Sequence, residues 1–170
     1  MRFSAVLVFA MTSLASFAQE QQSNVPDVVT RQSGLRLAPM PKPAQVYAKN
    51  CQGCHGELGT SVKEIPTLAG RVGYFTRLPD GRRYLVQVPN VALNPSSDED
   101  IAELLNWVLA TYSRAQLPAD FQPYTAAEVH ELRQARIDVV TERRRIVQEL
   151  VASGSIASAD VLALPPLAFY

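Results

Sequence analysis

Cys51-Gln52-Gly53-Cys54-His55 places two thiols three positions apart and an imidazole directly after the second one. This spacing allows one helical turn to hold a haem through two thioether bonds and to present the histidine to its iron. The chain of 170 residues contains only two cysteines, and both lie in this motif. The sequence therefore predicts one covalently attached haem c, held by Cys51 and Cys54, with His55 as the proximal iron ligand.

A zinc site or a thioredoxin-like disulfide would also use paired cysteines, but the sequence gives less support to either. Zinc would need a second pair of ligands, and the only histidine outside the motif is His130. A thioredoxin-like motif should follow a strand in a βαβ unit, and the sequence shows no such pattern. Covalent haem is therefore the favoured interpretation.

Composition and charge limit what else the chain does. Hydrophobic residues make up 47% of it, enough for one domain of ordinary size with extensions, and sixteen basic residues balance sixteen acidic ones. A balanced charge predicts neither a nucleic-acid partner nor binding to a charged membrane surface.

The N-terminal residues have the features of an export signal. Residues 1–18 combine Arg2, a short apolar run and small residues at Ser16-Phe17-Ala18. The run is shorter than the roughly 20 residues that a spanning helix needs, so we expect no transmembrane segment in the mature chain. Residues 19–42 are rich in Gln, Ser, Asn and Pro, and we expect an extended leader there.

Two further segments match the pattern of a known family. Val46-Tyr47 lies four to five positions before Cys51 in a stretch expected to be helical from Pro43, and Pro66-Thr67-Leu68-Ala69-Gly70 forms a Pro-x-Leu-x-Gly segment. Together with the haem motif, these features resemble the class I c-type cytochromes over residues 43–113. The resemblance implies an all-α, cytochrome c-like helical domain around the covalent haem.

The resemblance also implies roles for residues near the motif. The carbonyl of Pro66 would accept a hydrogen bond from the His55 ring, which would fix the tautomer of the imidazole and raise its basicity toward iron. By position, Arg71 and Tyr74 are candidates for contacts with the haem propionates. Leu78-Pro79-Asp80-Gly81 is expected to be a loop.

Residues 96–113 have the clearest helical pattern in the chain. Ser97 is the expected N-cap, acidic residues follow in the first turn, and apolar residues recur at three- and four-residue spacing from Ile101 to Leu109. The segment corresponds to the C-terminal helix of the family. Trp107 on this helix is expected to pack in the core, and its N–H is a candidate partner for a propionate.

The second axial ligand of the iron is the point at which the sequence departs from the family. Class I members usually supply a methionine between the Pro-x-Leu-x-Gly segment and the last helix, whereas all methionines of this chain precede Cys51. Residues 84–95 contain no sulfur, histidine or lysine. The alternatives are an open or weakly held position, His130, Met40, or a weak ligand such as Asn90, Asn94 or Tyr84.

Residues 114–170 extend beyond the resemblance. We expect a connector, a long helix over about residues 126–152 that begins with a capping box of Thr125 and Glu128, and an apolar tail. Arg143-Arg144-Arg145 on this helix is interpreted as a solvated face in preference to a docking patch.

The resemblance implies a periplasmic carrier of single electrons and not an enzyme. Its partners would be other redox proteins, with a periplasmic dehydrogenase as a candidate donor. Because axial ligation decides between electron transfer and ligand binding, two alternatives stay open. One is a haem protein that binds a gas or peroxide on an open distal face, and the other is the cytochrome subunit of a larger dehydrogenase complex.

Overall fold

The computed structural model describes residues 39–61 and 65–157. The predicted export signal, nearly all of the predicted leader and most of the apolar tail lie outside these residues. The described part of the chain is helical and contains no strand, which confirms the all-α prediction. Its α-helices are α1 (Lys42–Asn50), α2 (Gln52–His55), α3 (Pro79–Gln87), α4 (Pro89–Ala92), α5 (Asp98–Tyr112), α6 (Ala126–Leu132) and α7 (Val139–Ala152), and 3₁₀ helices span Val72–Arg77 and Arg114–Gln116.

Helices α1 and α5 pack against each other through aromatic side chains. The ring centre of Tyr47 on α1 lies 5.4 Å from that of Trp107 and 5.2 Å from that of Tyr112 on α5. The buried Tyr47 also donates a hydrogen bond from its hydroxyl to the carbonyl of Gly56, 2.7 Å away. This helix pair therefore holds the chain on both sides of α2, which carries the haem motif.

Helix α5 forms as its sequence predicts. The Ser97 hydroxyl accepts a hydrogen bond from the backbone N–H of Asp100 at 3.1 Å. An N-cap of this kind generally contributes about 1 kcal/mol to stability. One face of the helix is buried and forms the centre of the core: Ile101, Ala102, Leu104, Leu105, Val108 and Leu109.

The segment that leads to α5 is helical, so the prediction of a loop at residues 78–81 is wrong. Pro79 lies in the first turn of α3 and Pro89 in the first turn of α4, where the missing N–H costs no helical hydrogen bond. Gly81, inside α3, lies against the backbone of the preceding 3₁₀ helix, since a Cβ there would stand 2.1 Å from the Phe75 carbonyl oxygen. The close approach of these two helices replaces the expected loop.

The single helix predicted over residues 126–152 is two helices, α6 and α7, separated by residues 133–138. Arg133 ties the end of α6 to the start of α5, because its guanidinium donates to the carbonyl of Ala92 at 3.2 Å and to the carboxylate of Asp98 at 2.8 Å. Asp138 then starts α7 by accepting two backbone N–H groups of its first turn, both at 3.1 Å. Hydrogen bonds of Arg133 and Asp138 therefore anchor the chain at both ends of the break.

None of the described helices has the length and apolar character needed to cross a lipid bilayer.

Arg82 on α3 joins the C-terminal extension to the rest of the domain. Its guanidinium pairs with both carboxylate oxygens of Glu128 on α6, at 2.5 and 2.7 Å, and lies 3.9 Å from the ring centre of Tyr124. The Tyr124 hydroxyl donates in turn to the Arg82 carbonyl at 2.8 Å. Thr125 caps α6 as predicted, because its hydroxyl accepts the N–H of Glu128 at 3.2 Å. The extension is therefore an integral part of the described fold.

Candidate haem site

A cavity lies beside α2, between the 3₁₀ helix at Val72–Arg77 and helices α3, α5 and α7. It holds about 1150 Å³ of space that protein atoms do not fill, part of it open to solvent. Its wall is mainly apolar and includes Leu68, Val72, Phe75, Leu85, Leu104 and Val108. This apolar character matches a cofactor pocket, and Cys51 and His55 of the haem motif stand in the same wall. The residues present therefore fit a haem.

The haem motif occupies one turn of helix, as its spacing requires. Cys51 directly precedes α2, and the N–H of His55 donates to the Cys51 carbonyl at 2.9 Å. Gly56 ends the turn with a φ of 71°, a conformation that favours glycine. Cys51 is partly buried and Cys54 is exposed. Burial raises the pKa of the Cys51 thiol to about 11, so this thiol is protonated near neutral pH.

The ring of His55 is held by the backbone of the 66–70 segment. Its Nδ1 lies 3.1 Å from the carbonyl oxygen of Pro66. Because a carbonyl only accepts, Nδ1 carries the hydrogen, and the lone pair of Nε2 is left to bind iron. Burial lowers the pKa of the His55 imidazole, and the hydrogen bond to Pro66 opposes this shift only in part. The ring is therefore neutral near neutral pH, which is the form that binds a metal.

Ser61 is a residue of the site that no local sequence pattern marks. Its hydroxyl donates to the Pro66 carbonyl at 2.7 Å, and its N–H donates to the His55 carbonyl at 2.9 Å. Its φ is 63°, and among the residues that the structure describes no other non-glycine residue has a positive φ. This backbone conformation generally costs a residue with a Cβ about 1–2 kcal/mol. Ser61 thus holds a strained conformation in which its hydroxyl shares the acceptor of His55.

Two substitutions of Ser61 separate the effect of its hydroxyl from the effect of its backbone strain. Both Ser61→Ala and Ser61→Gly remove the hydroxyl, so that the Pro66 carbonyl accepts a side-chain hydrogen bond from His55 only. The imidazole then becomes more basic, and the ferric state is favoured. We expect both variants to lower the midpoint potential by similar amounts in a redox titration. Ser61→Gly should have a free energy of unfolding about 1 kcal/mol above that of Ser61→Ala, because glycine relieves the strain. A midpoint potential that stays at the wild-type value in both would contradict the role of the hydroxyl.

Of the three residues proposed for propionate contacts, the structure brings only Arg71 to the cavity wall. The Tyr74 ring lies 4.9 Å from the guanidinium carbon of Arg77, while its neighbours Val72 and Phe75 line the cavity. Trp107 packs among the aromatic rings between α1 and α5 and is not part of the wall. The structure therefore places Tyr74 and Trp107 outside the described cavity wall, and their contacts with the propionates stay predictions.

His130 also lies outside the cavity. Its side chain is 70% exposed, and its Nδ1 lies 2.8 Å from the carboxylate of Asp98 at the start of α5. This pair holds the imidazole at the surface in the structure, and a role of His130 as the distal ligand stays a prediction. Met40 is 53% exposed and is likewise not part of the cavity wall.

The described wall supplies no strong second ligand. Among its described residues, His55 is the only one with an imidazole, thioether or amine group. Of the weak candidates, Asn90 and Tyr84 line the cavity. Asn94 does not, and its side-chain oxygen accepts the N–H of Ser96 at 3.0 Å.

Replacing His130 by alanine tests its placement. We expect the ferric absorption and electron paramagnetic resonance spectra of the haem-loaded variant to match those of the wild type, because the imidazole pairs with Asp98 at the surface. The stability should change little, since exposed pairs contribute little to folding. A ferric spectrum that differs from the wild type would show that His130 reaches the iron.

Arg143 is a second site residue that sequence reasoning missed. It is 5% exposed, lines the cavity, and places its guanidinium carbon 5.3 Å from the ring centre of Phe75. The interpretation of Arg143-Arg144-Arg145 as a solvated face holds for the last two residues, which are exposed, and is wrong for the first. Helical spacing could have found it, because Arg143 lies three and seven positions before Ile146 and Leu150, the other buried residues of α7.

The sequence is similar to two proteins named cytochrome c-552, both from Thermus thermophilus. It is 30% identical over 135 residues to the first, an alignment that covers 66% of this chain and 90% of that protein. It is also 30% identical over 125 residues to the second, which covers 61% of this chain and 95% of that protein. No family model matches the chain. The similarity therefore extends over nearly the full length of both relatives.

Proposed function

The chain belongs to the class I c-type cytochromes, and we propose that it is an exported carrier of single electrons in the periplasm. Membership of this family makes it an electron carrier with covalently bound haem c, and not an enzyme. Export is supported by the signal-like features of residues 1–18. A periplasmic dehydrogenase is the proposed donor, and a second redox protein is the proposed acceptor.

The hydrogen bond from His55 to Pro66 is the observation that carries this proposal. This hydrogen bond leaves Nε2 of the neutral imidazole available to bind iron. His55 and Cys51 line the same cavity. In the proposed site Cys51 and Cys54 hold the haem, His55 is the proximal ligand, and Arg71 binds a propionate. The haem supplies a one-electron ferric/ferrous couple, and the apolar wall tunes its potential by limiting access of water.

A second candidate function is favoured by the composition of the cavity wall. The described wall contains no strong ligand besides His55, and an open or weakly held sixth position would admit a gas or peroxide. Asn90 and Tyr84 are polar residues of the same wall.

Redox titration and carbon monoxide binding separate the two candidates. A carrier should titrate reversibly with one electron in the absence of any added ligand, and its ferrous form should react slowly, if at all, with carbon monoxide. A high-spin ferric spectrum together with rapid carbon monoxide binding would overturn the carrier and favour ligand binding.

The molecular mass of the purified protein tests whether the chain meets a dehydrogenase transiently or is one of its subunits. A carrier that meets its donor transiently should purify as a monomer by size-exclusion chromatography with light scattering. A stable complex with dehydrogenase subunits would instead make the chain a subunit of a larger assembly.

A further inference from the structure

The backbone that orients His55 forms a loop whose two arms are hydrogen-bonded to each other. We call the described residues between 56 and 70 the proximal loop, because Pro66, the acceptor of the His55 ring, lies in its second arm. The carbonyl of Gly59 in the first arm accepts the N–H of Leu68 in the second arm at 2.8 Å. The position of the Pro66 carbonyl therefore depends on how firmly the two arms are held.

Tyr112, the last residue of α5, contacts both arms of the proximal loop. Its hydroxyl donates to the carbonyl of Glu57 at 2.8 Å, and its own carbonyl accepts the N–H of Gly70 at 2.7 Å. Its ring lies against Gly59, since a Cβ there would stand 2.9 Å from two of the ring carbons. The loop is therefore tied at three points to the end of the helix that forms the centre of the core.

We propose that Tyr112 is a positioning residue for His55: through the proximal loop it fixes the Pro66 carbonyl against Nδ1 and so sets the basicity of the imidazole. This inference rests on the proposed function, because it concerns His55 as an iron ligand. When the loop loosens, the hydrogen bond to Pro66 weakens, the imidazole becomes less basic and the ferrous state is favoured. Tyr112 therefore lowers the midpoint potential, and loss of its contacts shifts the potential in the direction opposite to loss of the Ser61 hydroxyl.

Two tyrosine hydroxyls in the haem-loaded full chain test this role. Tyr112→Phe keeps the ring and removes the bond to Glu57, whereas Tyr124→Phe removes a hydroxyl that donates to the carbonyl of Arg82, also at 2.8 Å and outside the cavity wall. We expect Tyr112→Phe to raise the midpoint potential. It should also accelerate hydrogen exchange of the Leu68 amide by about two- to tenfold, the factor that corresponds to one hydrogen bond. Tyr124→Phe should leave both quantities at the wild-type value, although Tyr124 is buried.

Gly59→Ala disturbs the same contact from the side of the loop, because its Cβ would meet the Tyr112 ring. It should raise the midpoint potential as Tyr112→Phe does. If Gly59→Ala does not fold, Tyr112→Phe decides by itself, since it keeps the ring in place.

The midpoint potential decides the outcome. A potential of Tyr112→Phe that stays at the wild-type value, or a shift that Tyr124→Phe matches, overturns the proposal, whatever the exchange rate does. A folded Gly59→Ala variant with the wild-type potential overturns it as well. A wild-type protein that carries no covalent haem after denaturation would refute the proposed function and this inference with it, and this control is measured first.

Discussion

Replacing both Cys51 and Cys54 by alanine is expected to abolish covalent haem attachment completely. A thioether cannot form without a thiol, and the chain has no other cysteine. The measurement is haem staining of the denatured protein on a gel, followed by extraction of the remaining pigment with acidified solvent. The wild type should keep its pigment through denaturation, and the double variant should lose all of it.

The single variants are the control for this prediction. Cys51→Ala and Cys54→Ala each leave one thiol, so any covalent pigment that they retain should be held by one bond and should show an altered ferrous absorption band. Pigment that survives denaturation in the double variant would mean that these thiols are not the attachment points.

Local signals in the sequence were sufficient for the parts of the fold that depend on near neighbours. Ser97 and Thr125 cap their helices as predicted, because a cap bonds to an N–H three residues further along the chain. The haem motif forms one helical turn for the same reason. The hydrogen bond between His55 and Pro66 spans 11 positions, and it was anticipated only through the resemblance to a family.

Long-range contacts explain the features that local patterns missed. Residues 133–138 contain neither glycine nor proline, and the one local signal of the break between α6 and α7 is Asp138, which caps α7. The break coincides with the contacts of Arg133 to Ala92 and Asp98, which lie 41 and 35 positions earlier. Arg143 was missed for a related reason, since it stands in a run of three arginines and only its partners in the fold show that it is buried. Which side chains form the cavity wall is likewise decided by tertiary packing.

The second large effect is expected from Gly81→Ala, which should destabilise the domain by about 3 kcal/mol or more. The added Cβ would stand 2.1 Å from the Phe75 carbonyl oxygen and 2.9 Å from its carbonyl carbon, so backbone has to move. Alanine normally favours a helix over glycine by about 1 kcal/mol, and the expected loss is therefore steric in origin. Urea denaturation of the haem-loaded protein measures the change.

Gly53→Ala is the matched control, because Gly53 also lies in a helix and, apart from its own helical turn, no described protein atom stands within 4 Å of its added Cβ. It should leave the stability unchanged or slightly raised. Equal stability of the two variants would contradict the close approach of α3 to Phe75.

The backbone displacement caused by Gly81→Ala should also reach the haem, since Phe75 and Leu85 of α3 both line the cavity. Water that enters a loosened apolar wall favours the ferric state, so Gly81→Ala should lower the midpoint potential as well as the stability, whereas Gly53→Ala should change neither in that direction.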